Sequence, residues 1–230
     1  MKKIIAIGGG EIRYKTTNKI DAYVAELAKK HAGQVRANAL FLGTASHDSM
    51  PYFNSFRKTY TSDFDIKAEV ALTVYGEMDL EKIKGKIQKA DAIYIGGGDT
   101  LFMLKKWEEF GITPLLKQAY EDGVIMVGLS AGAICWFEDM YTDSDIMNGG
   151  TDYKFEKGLG VLSGLCTPHY NERIVDFDQR FKSSSFKEAI AIENDCAVEF
   201  TDGVIIGSIS AGGNAYKIIN DNGNLIKEKL

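Results

Sequence analysis

Short apolar runs alternate, in the first half of the chain, with longer segments whose apolar residues recur at helical spacing. The short runs are typical of buried strands, and they are 3–7, 39–43, 66–74, 92–95 and 124–127. The longer segments predict helices, and they are 18–31, 50–60, 80–89, 100–110 and 114–122. Strands that alternate with helices indicate an α/β fold with a mostly parallel central sheet and helices on both faces.

The later part of the chain changes to short apolar runs that are bounded by Gly, Asp and Asn. These runs predict extra C-terminal strands, antiparallel in part, and they are 159–166, 189–192, 196–200, 204–210 and 215–219. No linker separates them from the preceding part, so we expect one domain over residues 1–230.

Composition excludes several classes of function. The 230 residues carry a net charge of −5 and have no basic patch that would suit nucleic acid. No apolar run approaches membrane length, and the run at 4–7 is too short for a signal peptide. Cys135, Cys166 and Cys196 have neither disulfide nor metal-ligand spacing. We therefore expect a cytoplasmic protein with reduced thiols and with no metal or cofactor.

The strand at 124–127 runs into Gly128-Leu129-Ser130-Ala131-Gly132, which has the G-x-S-x-G pattern of a nucleophile elbow. In an elbow, the chain turns sharply from strand to helix and presents the serine at the turn. The Ala131 N–H at the helix start would then stabilise an oxyanion. The alternative is an ordinary strand-to-helix turn with a capping serine.

A serine nucleophile needs a base, and the chain has three histidines. His31 lies at a lysine-rich helix end, whereas His47 and His169 each follow a strand. Ligands collect at the carboxyl ends of strands in such sheets, so both are candidates, and we favour His169 over His47.

The third member of a triad orients the histidine and is usually an acid. Asp139, Asp143 and Asp145 lie between the serine and His169, and Glu193 lies after it. The residues alone leave this choice open.

A second glycine-rich turn, Gly96-Gly97-Gly98-Asp99-Thr100, follows the strand at 92–95 and opens a helix. It lacks the Gly-Lys-Ser/Thr ending of a phosphate-binding loop and the G-x-G-x-x-G spacing. The first such turn, Gly8-Gly9-Gly10, lacks that spacing as well. A glycine turn beside a nucleophile elbow fits an oxyanion hole better than a nucleotide site.

The segments Tyr94–Thr100, Gly128–Ala133 and Pro168–Tyr170 together resemble peptidase family S51, which includes dipeptidase E and cyanophycinase. This family is similar to the class I glutamine amidotransferase fold, with serine in place of the cysteine nucleophile. The resemblance implies that Ser130 is the nucleophile and His169 the base. It also implies an oxyanion hole from Gly98, Asp99 and Ala131.

The resemblance implies a third triad member in the loop before a late strand, where the family has a glutamate. Glu193 is the first choice there, with Asn194 as a rival because it falls on the aligned position. Asp145 is a further rival, because it matches an aspartate that follows the nucleophile helix.

Specificity departs from the family pattern. The aspartyl dipeptidases hold an arginine for the acidic side chain of the substrate where this chain has Phe177. The nearby Arg173 and Arg180 are expected to be surface residues on a helix, and the alternative is that one of them replaces the missing arginine. The expected function is a dipeptidase E-like serine hydrolase that cleaves a small peptide or isopeptide bond through an acyl-enzyme on Ser130. The alternatives are a cyanophycinase-like or other amidohydrolase and an inactive binding or regulatory protein. We expect a small peptide substrate and no nucleic-acid or membrane partner, with a homodimer left open.

Overall fold

Two mixed sheets and eight α-helices build the fold, in a computed structural model that describes residues 1–33, 35–76 and 78–230. The strands are β1 Lys3–Ile7, β2 Asn38–Leu42, β3 Lys67–Ala71, β4 Ala92–Ile95, β5 Ile125–Leu129, β6 Phe137–Thr142, β7 Lys154–Lys157, β8 Leu162–Thr167, β9 Glu188–Ile192, β10 Cys196–Thr201, β11 Val204–Ser210, β12 Ala215–Asp221 and β13 Asn224–Lys229. The helices are α1 Asn18–Ala32, α2 Met50–Lys58, α3 Leu80–Ile87, α4 Thr100–Glu109, α5 Ile112–Glu121, α6 Ala131–Ile134, α7 Ser144–Met147 and α8 Tyr170–Lys182.

The first sheet has the order β11-β10-β1-β5-β4-β2-β3. Strands β1 to β5 within it run parallel to one another, and β10 pairs antiparallel with β1. In β1, Ile4 and Ala6 face a core with α3, α4 and α5, whereas Ile5 and Ile7 face a second core with α1 and α2. Because both faces are covered there, β1, β2, β4 and β5 read as nearly continuous apolar runs. The predicted parallel sheet with helices on both faces is confirmed.

The second sheet has the order β13-β12-β9-β8-β6-β7, with β6, β8 and β9 parallel. The extra C-terminal strands are therefore divided, since β10 and β11 extend the first sheet and the others build the second. Strand β9 shows how the second sheet is covered. Ala189 and Ala191 pack in a cluster with α8, and Ile190 and Ile192 pack into the core shared with the first sheet.

Register brings three loops of the first sheet to one edge. Ile7 pairs with Leu129, and Ile95 pairs with Gly128, so β1, β5 and β4 end side by side. Residues that follow these strands therefore meet at the carboxyl edge, where α/β sheets bind ligands. Within the described residues, no helix is long and apolar enough to cross a membrane.

Candidate active site

Ser130 lies at the turn between β5 and α6 with φ 53° and ψ −109°. A positive φ is costly for a residue with a side chain, and such strain persists only where surrounding contacts hold it. One of these contacts is the Ser130 N–H, which donates to the Ile7 carbonyl at 2.9 Å. The geometry is that of the nucleophile elbow that the sequence predicts.

The two glycines of the elbow are required by close packing. A Cβ at Gly128 would come within 3.0 Å of the Gly132 carbonyl, and a Cβ at Gly132 would come within 3.0 Å of the Ile95 carbonyl. Real Cβ atoms essentially never approach backbone so closely. The pattern therefore lets α6 lie directly against the ends of β5 and β4.

His169 follows β8 and reaches Ser130 from the second sheet. Its Nε2 lies 2.8 Å from Ser130 Oγ, and its backbone N–H donates to the Gly8 carbonyl at 2.9 Å. Burial, followed by the positive charge of Arg173, lowers the pKa of His169 below its usual value of 6.5. The lowered pKa favours the neutral imidazole, which is the form that accepts a proton.

Asn194 lies on the other side of the imidazole. Its Oδ1 is 2.6 Å from His169 Nδ1, and its Nδ2 donates to Glu172 Oε1. The two residues meet because His169 follows β8, Asn194 follows β9, and Thr167 pairs with Ala191 in these neighbouring parallel strands.

The carboxylate of Glu172 decides which end of the Asn194 amide faces the imidazole. An ionised carboxylate only accepts hydrogen bonds, so the amide NH₂ must face Glu172 and Oδ1 must face His169. The amide oxygen then accepts the Nδ1–H of His169, which leaves the lone pair of Nε2 directed at Ser130. This is the tautomer that a general base requires.

The other candidates for the third position have different partners in the structure. Glu193 Oε2 accepts hydrogen bonds from the Asn214 backbone N–H at 2.8 Å and from its side-chain amide at 3.0 Å. Asp145 pairs with Lys154 at 2.5 Å. The structure therefore brings Asn194 to His169, and neither Glu193 nor Asp145. The remaining acids are bound to cations elsewhere, Asp139 to Lys157 and Asp143 to Arg173.

Gly9 packs over the contact between His169 and Asn194. A Cβ at this position would come within 3.0 Å of both Asn194 Oδ1 and His169 Nδ1. Sequence reasoning missed this role because it compared the first glycine turn only with nucleotide-binding patterns. The turn instead allows β1 to end against the imidazole.

Two of the three expected oxyanion donors have suitable positions. Ala131 is the first residue of α6, so its N–H has no acceptor within the helix. Gly98 lines the same cleft as Ser130, with φ 138°, and a Cβ there would collide with the Ala45 carbonyl. Asp99 differs, because its N–H already donates to Ala45 at 2.8 Å.

The side chain of Asp99 has a structural contact of its own. Its Oδ1 accepts hydrogen bonds from the backbone N–H groups of Leu101 and Phe102, at 3.1 and 3.2 Å. Asp99 is thus the N-cap of α4, a position that aspartate favours.

A cleft of about 650 Å³ opens in front of Ser130 and His169. Its walls come from the first glycine turn and the residues after it, the start of α2, the second glycine turn and the elbow. The lining residues are Gly10, Glu11, Ile12, Arg13, Pro51, Tyr52, Ser55, Gly97, Gly98, Leu129, Ser130 and His169.

Other residues that the sequence singled out lie outside this cleft. His47 is exposed and packs on Phe102, with ring centroids 4.1 Å apart. Arg173 is only 4% exposed and pairs with Asp143 at 2.7 Å, so the expectation of a surface residue is wrong for it. Its buried position follows from the helical face that it shares with Phe177.

The position where aspartyl dipeptidases hold an arginine lies in the core. Phe177 is fully buried and packs against Tyr141 and Phe181. Arg180 is partly exposed and pairs with Asp152 and Asp176. Among the described residues, no group of three or more His, Cys, Asp or Glu side chains could hold a metal ion.

Known proteins share this sequence pattern and this fold. The sequence model of peptidase family S51 matches residues 4–207. The uncharacterized peptidase YgaJ of Bacillus subtilis (strain 168) is 31% identical over 225 residues, which cover 95% of this chain and 93% of that protein. Peptidase E of Pasteurella multocida (strain Pm70) is 34% identical over 79 residues, 34% of either chain.

Solved structures match the fold over the whole chain. A peptidase from an acI-B1 Actinobacterium superposes with a TM-score of 0.70 at 15% identity, covering 100% of this chain and 94% of that one. A putative peptidase E protein from Listeria monocytogenes EGD-e superposes with a TM-score of 0.62 at 18% identity, covering 100% and 99%.

Proposed function

Because this chain belongs to peptidase family S51, we propose that it is a serine peptidase that cleaves a small peptide through an acyl-enzyme on Ser130. The observation that carries the proposal is the continuous hydrogen-bond chain from Ser130 Oγ to His169, at 2.8 Å, and from His169 to Asn194, at 2.6 Å. This is the order of nucleophile, base and orienting group that acyl transfer requires.

The reaction proceeds in two halves. Ser130 Oγ attacks the substrate carbonyl while His169 Nε2 takes the hydroxyl proton, and the N–H groups of Ala131 and Gly98 stabilise the oxyanion. The peptide C–N bond then breaks, and His169 returns the proton to the leaving amine. In the second half, His169 deprotonates a water that attacks the acyl-enzyme, and the acid product leaves as the Ser130 hydroxyl is restored.

In this proposal Asn194, and not the expected Glu193, is the third member of the triad. A neutral amide orients His169 without adding a negative charge, as in the Cys-His-Asn arrangement of papain-like proteases. Glu172 is exposed, so water screens its charge. Its main contribution is therefore to fix the orientation of the Asn194 amide.

The pH dependence of kcat/KM should reflect the lowered pKa of His169. A general base works only when neutral, so activity should persist below pH 6.5 and fall as the pH drops through the lowered pKa. Arg173→Gln removes a positive charge that lowers this pKa, so the acid limb should move to higher pH. Arg180→Gln, on the same helix, should leave the limb unchanged. If the acid limb of the Arg173→Gln profile stays in place or moves to lower pH, this electrostatic account is contradicted.

Closing the space above the triad should weaken catalysis. Gly9→Ala introduces a Cβ that would displace His169 or Asn194. We expect kcat to fall by about 10- to 100-fold, the cost of disturbing one hydrogen bond to the imidazolium that forms during the reaction. The measurement is kcat at saturating substrate, with thermal unfolding as the check on folding. Gly212→Ala is the matched control, because its Cβ would make only ordinary contact with Asp195. Equal kcat values for the two variants would show that Gly9 has no part in the site.

The enzyme should not prefer an acidic N-terminal residue. A site with an arginine for that side chain gains roughly 1.5–3 kcal/mol, or about 10- to 100-fold in kcat/KM. Here Phe177 is buried, and Arg173 and Arg180 are bound to carboxylates. The arginine that does line the cleft, Arg13, is accompanied there by Glu11, whose carboxylate disfavours a second negative charge. We therefore expect Asp-Ala to be cleaved no faster than Asn-Ala. A strong preference for Asp-Ala that Arg173→Ala or Arg180→Ala removes would show that one of these arginines enters the cleft.

A further inference from the structure

Two opposite charges line the cleft beside the proposed nucleophile. Among the residues that line the cleft, Glu11 is the acidic one and Arg13 is the arginine, and both side chains are exposed. Within residues 1–33, 35–76 and 78–230, neither side chain has an ion-pair partner or a side-chain hydrogen bond; the Arg13 guanidinium lies over the Tyr14 ring at 5.6 Å. The pair is thus available to a bound molecule.

The backbone that carries the two charges is held in place. Ile12, between them, is 2% exposed and packs into the core with α1 and α2. The Glu11 N–H donates to Thr16 Oγ1 at 2.9 Å, and the Glu11 carbonyl accepts from the N–H groups of Tyr14 and Thr16. Thr16 Oγ1 in turn donates to Asp195 at 2.5 Å. The backbone that presents the two charges is therefore preorganised for a ligand.

The turn is also close to the proposed catalytic groups. Gly9 contacts His169 and Asn194, and Glu11 follows two residues later. Burial raises the pKa of the Tyr52 hydroxyl, and the charge of Glu11 adds to the rise. Glu11 and Tyr52 line the same cleft, so the Glu11 carboxylate lies beside the space that a substrate would fill.

We propose that Glu11 binds the α-ammonium group of a free dipeptide and that Arg13 binds its C-terminal carboxylate. This inference rests on the proposed peptidase function and names its substrate class. The two α-carbons of a dipeptide are about 3.8 Å apart, so one small cleft can reach both ends of the molecule. A guanidinium is the group that pairs with a carboxylate in a two-point geometry.

Charge complementarity determines the orientation of the dipeptide between Glu11 and Arg13. An ammonium beside Glu11 and a carboxylate beside Arg13 are both attractive, and the reversed orientation places like charges together. An acidic first side chain would lie beside Glu11, in agreement with the expected lack of preference for Asp-Ala. Peptides without a free N-terminus or a free C-terminus lose one of the two contacts.

The test compares Ala-Ala with N-acetyl-Ala-Ala and Ala-Ala-amide in the wild type and two variants. Glu11→Gln should raise KM for Ala-Ala about 10- to 100-fold and remove the wild-type preference over the acetylated peptide. Arg13→Met should raise KM for Ala-Ala by a similar factor and remove the wild-type preference for Ala-Ala over Ala-Ala-amide. Because these contacts are made in the ground state as well, kcat should change little.

Lys15→Met is the matched control. Lys15 lies on the same turn but pairs with Asp63 and does not line the cleft, so its KM values should match the wild type. Variants that weaken all three substrates equally, or that leave Ala-Ala unaffected, would overturn the proposal. Asp-Ala-amide, which has an acidic side chain but no C-terminal carboxylate, is a further substrate in this comparison. If Arg13→Met raises KM for this peptide alone, Arg13 binds an acidic side chain, and the proposal is overturned.

Labelling by a small uncharged fluorophosphonate separates this proposal from the peptidase proposal. Suppose that Ser130 is labelled in the wild type, in Glu11→Gln and in Arg13→Met, and that neither substitution changes KM for Ala-Ala. Then only the assignment of Glu11 and Arg13 fails. If Ser130 of the wild type is not labelled, the peptidase proposal itself fails.

Discussion

Ser130→Ala should reduce kcat for dipeptide hydrolysis by about 10⁵- to 10⁶-fold, since members of a triad act as a unit and loss of the nucleophile removes the acyl-enzyme route. The Cβ of Ser130 and its backbone remain, and the Ser130 N–H still reaches the Ile7 carbonyl. We therefore expect the variant to keep its fold and its thermal unfolding temperature. The measurement is single-turnover hydrolysis with a stoichiometric excess of enzyme.

Ser55→Ala is the matched control for this variant. Ser55 lines the same cleft, but its hydroxyl donates to the Pro51 carbonyl within α2. Its removal should leave kcat near the wild-type value. Near-wild-type turnover by Ser130→Ala would refute the assignment of the nucleophile.

Asn194→Leu should lower kcat by up to about 10⁴-fold, the loss that the wrong histidine tautomer causes in a serine protease. Leucine has a similar size but cannot accept the Nδ1–H of His169, so the imidazole loses both its orientation and its tautomer. The measurement is the pH profile of kcat together with KM, since a role confined to folding would not change the profile. Glu193→Gln is the control, because Glu193 contacts Asn214 and not His169. A larger loss for Glu193→Gln than for Asn194→Leu would restore Glu193 as the third member.

The double variant Glu172→Gln/Asn194→Asp tests whether Glu172 acts on the side chain at position 194. Asn194→Asp alone would place two carboxylates in contact, because Glu172 Oε1 already accepts from the Asn194 amide, and one of them would take up a proton. Glu172→Gln relieves that repulsion by offering an amide in place of the carboxylate. We expect the double variant to be more active than Asn194→Asp alone, and equal activity would show that Glu172 does not act on this position.

The fold and the centre of the site could be predicted because their patterns are local. The buried strands β1, β2, β4 and β5 read as continuous apolar runs, since both faces of the first sheet are covered. The elbow at Ser130 combines such a run with two glycines that packing requires. His169 could be found because few histidines follow a predicted strand.

The rest of the site depends on contacts between distant segments. The sequence favours Glu193 over Asn194 because a carboxylate is the usual partner of a histidine. Only the pairing of β8 with β9 shows which of the two residues contacts Nδ1 of His169. Asp99 carries the pattern of an oxyanion loop, but its N–H is taken by the Ala45 carbonyl. Strand β6, Phe137–Thr142, was not predicted, since its exposed Glu138 interrupts the apolar run.

Covalent labelling tests the central claim most directly, namely that Ser130 is a nucleophile activated by His169. The protein is treated with a small uncharged fluorophosphonate, and the modified residue is located by peptide mapping and mass spectrometry. We predict one adduct, on Ser130, that is absent from Ser130→Ala and His169→Ala. An unlabelled wild-type protein, or an adduct that persists on another residue in both variants, would contradict the account.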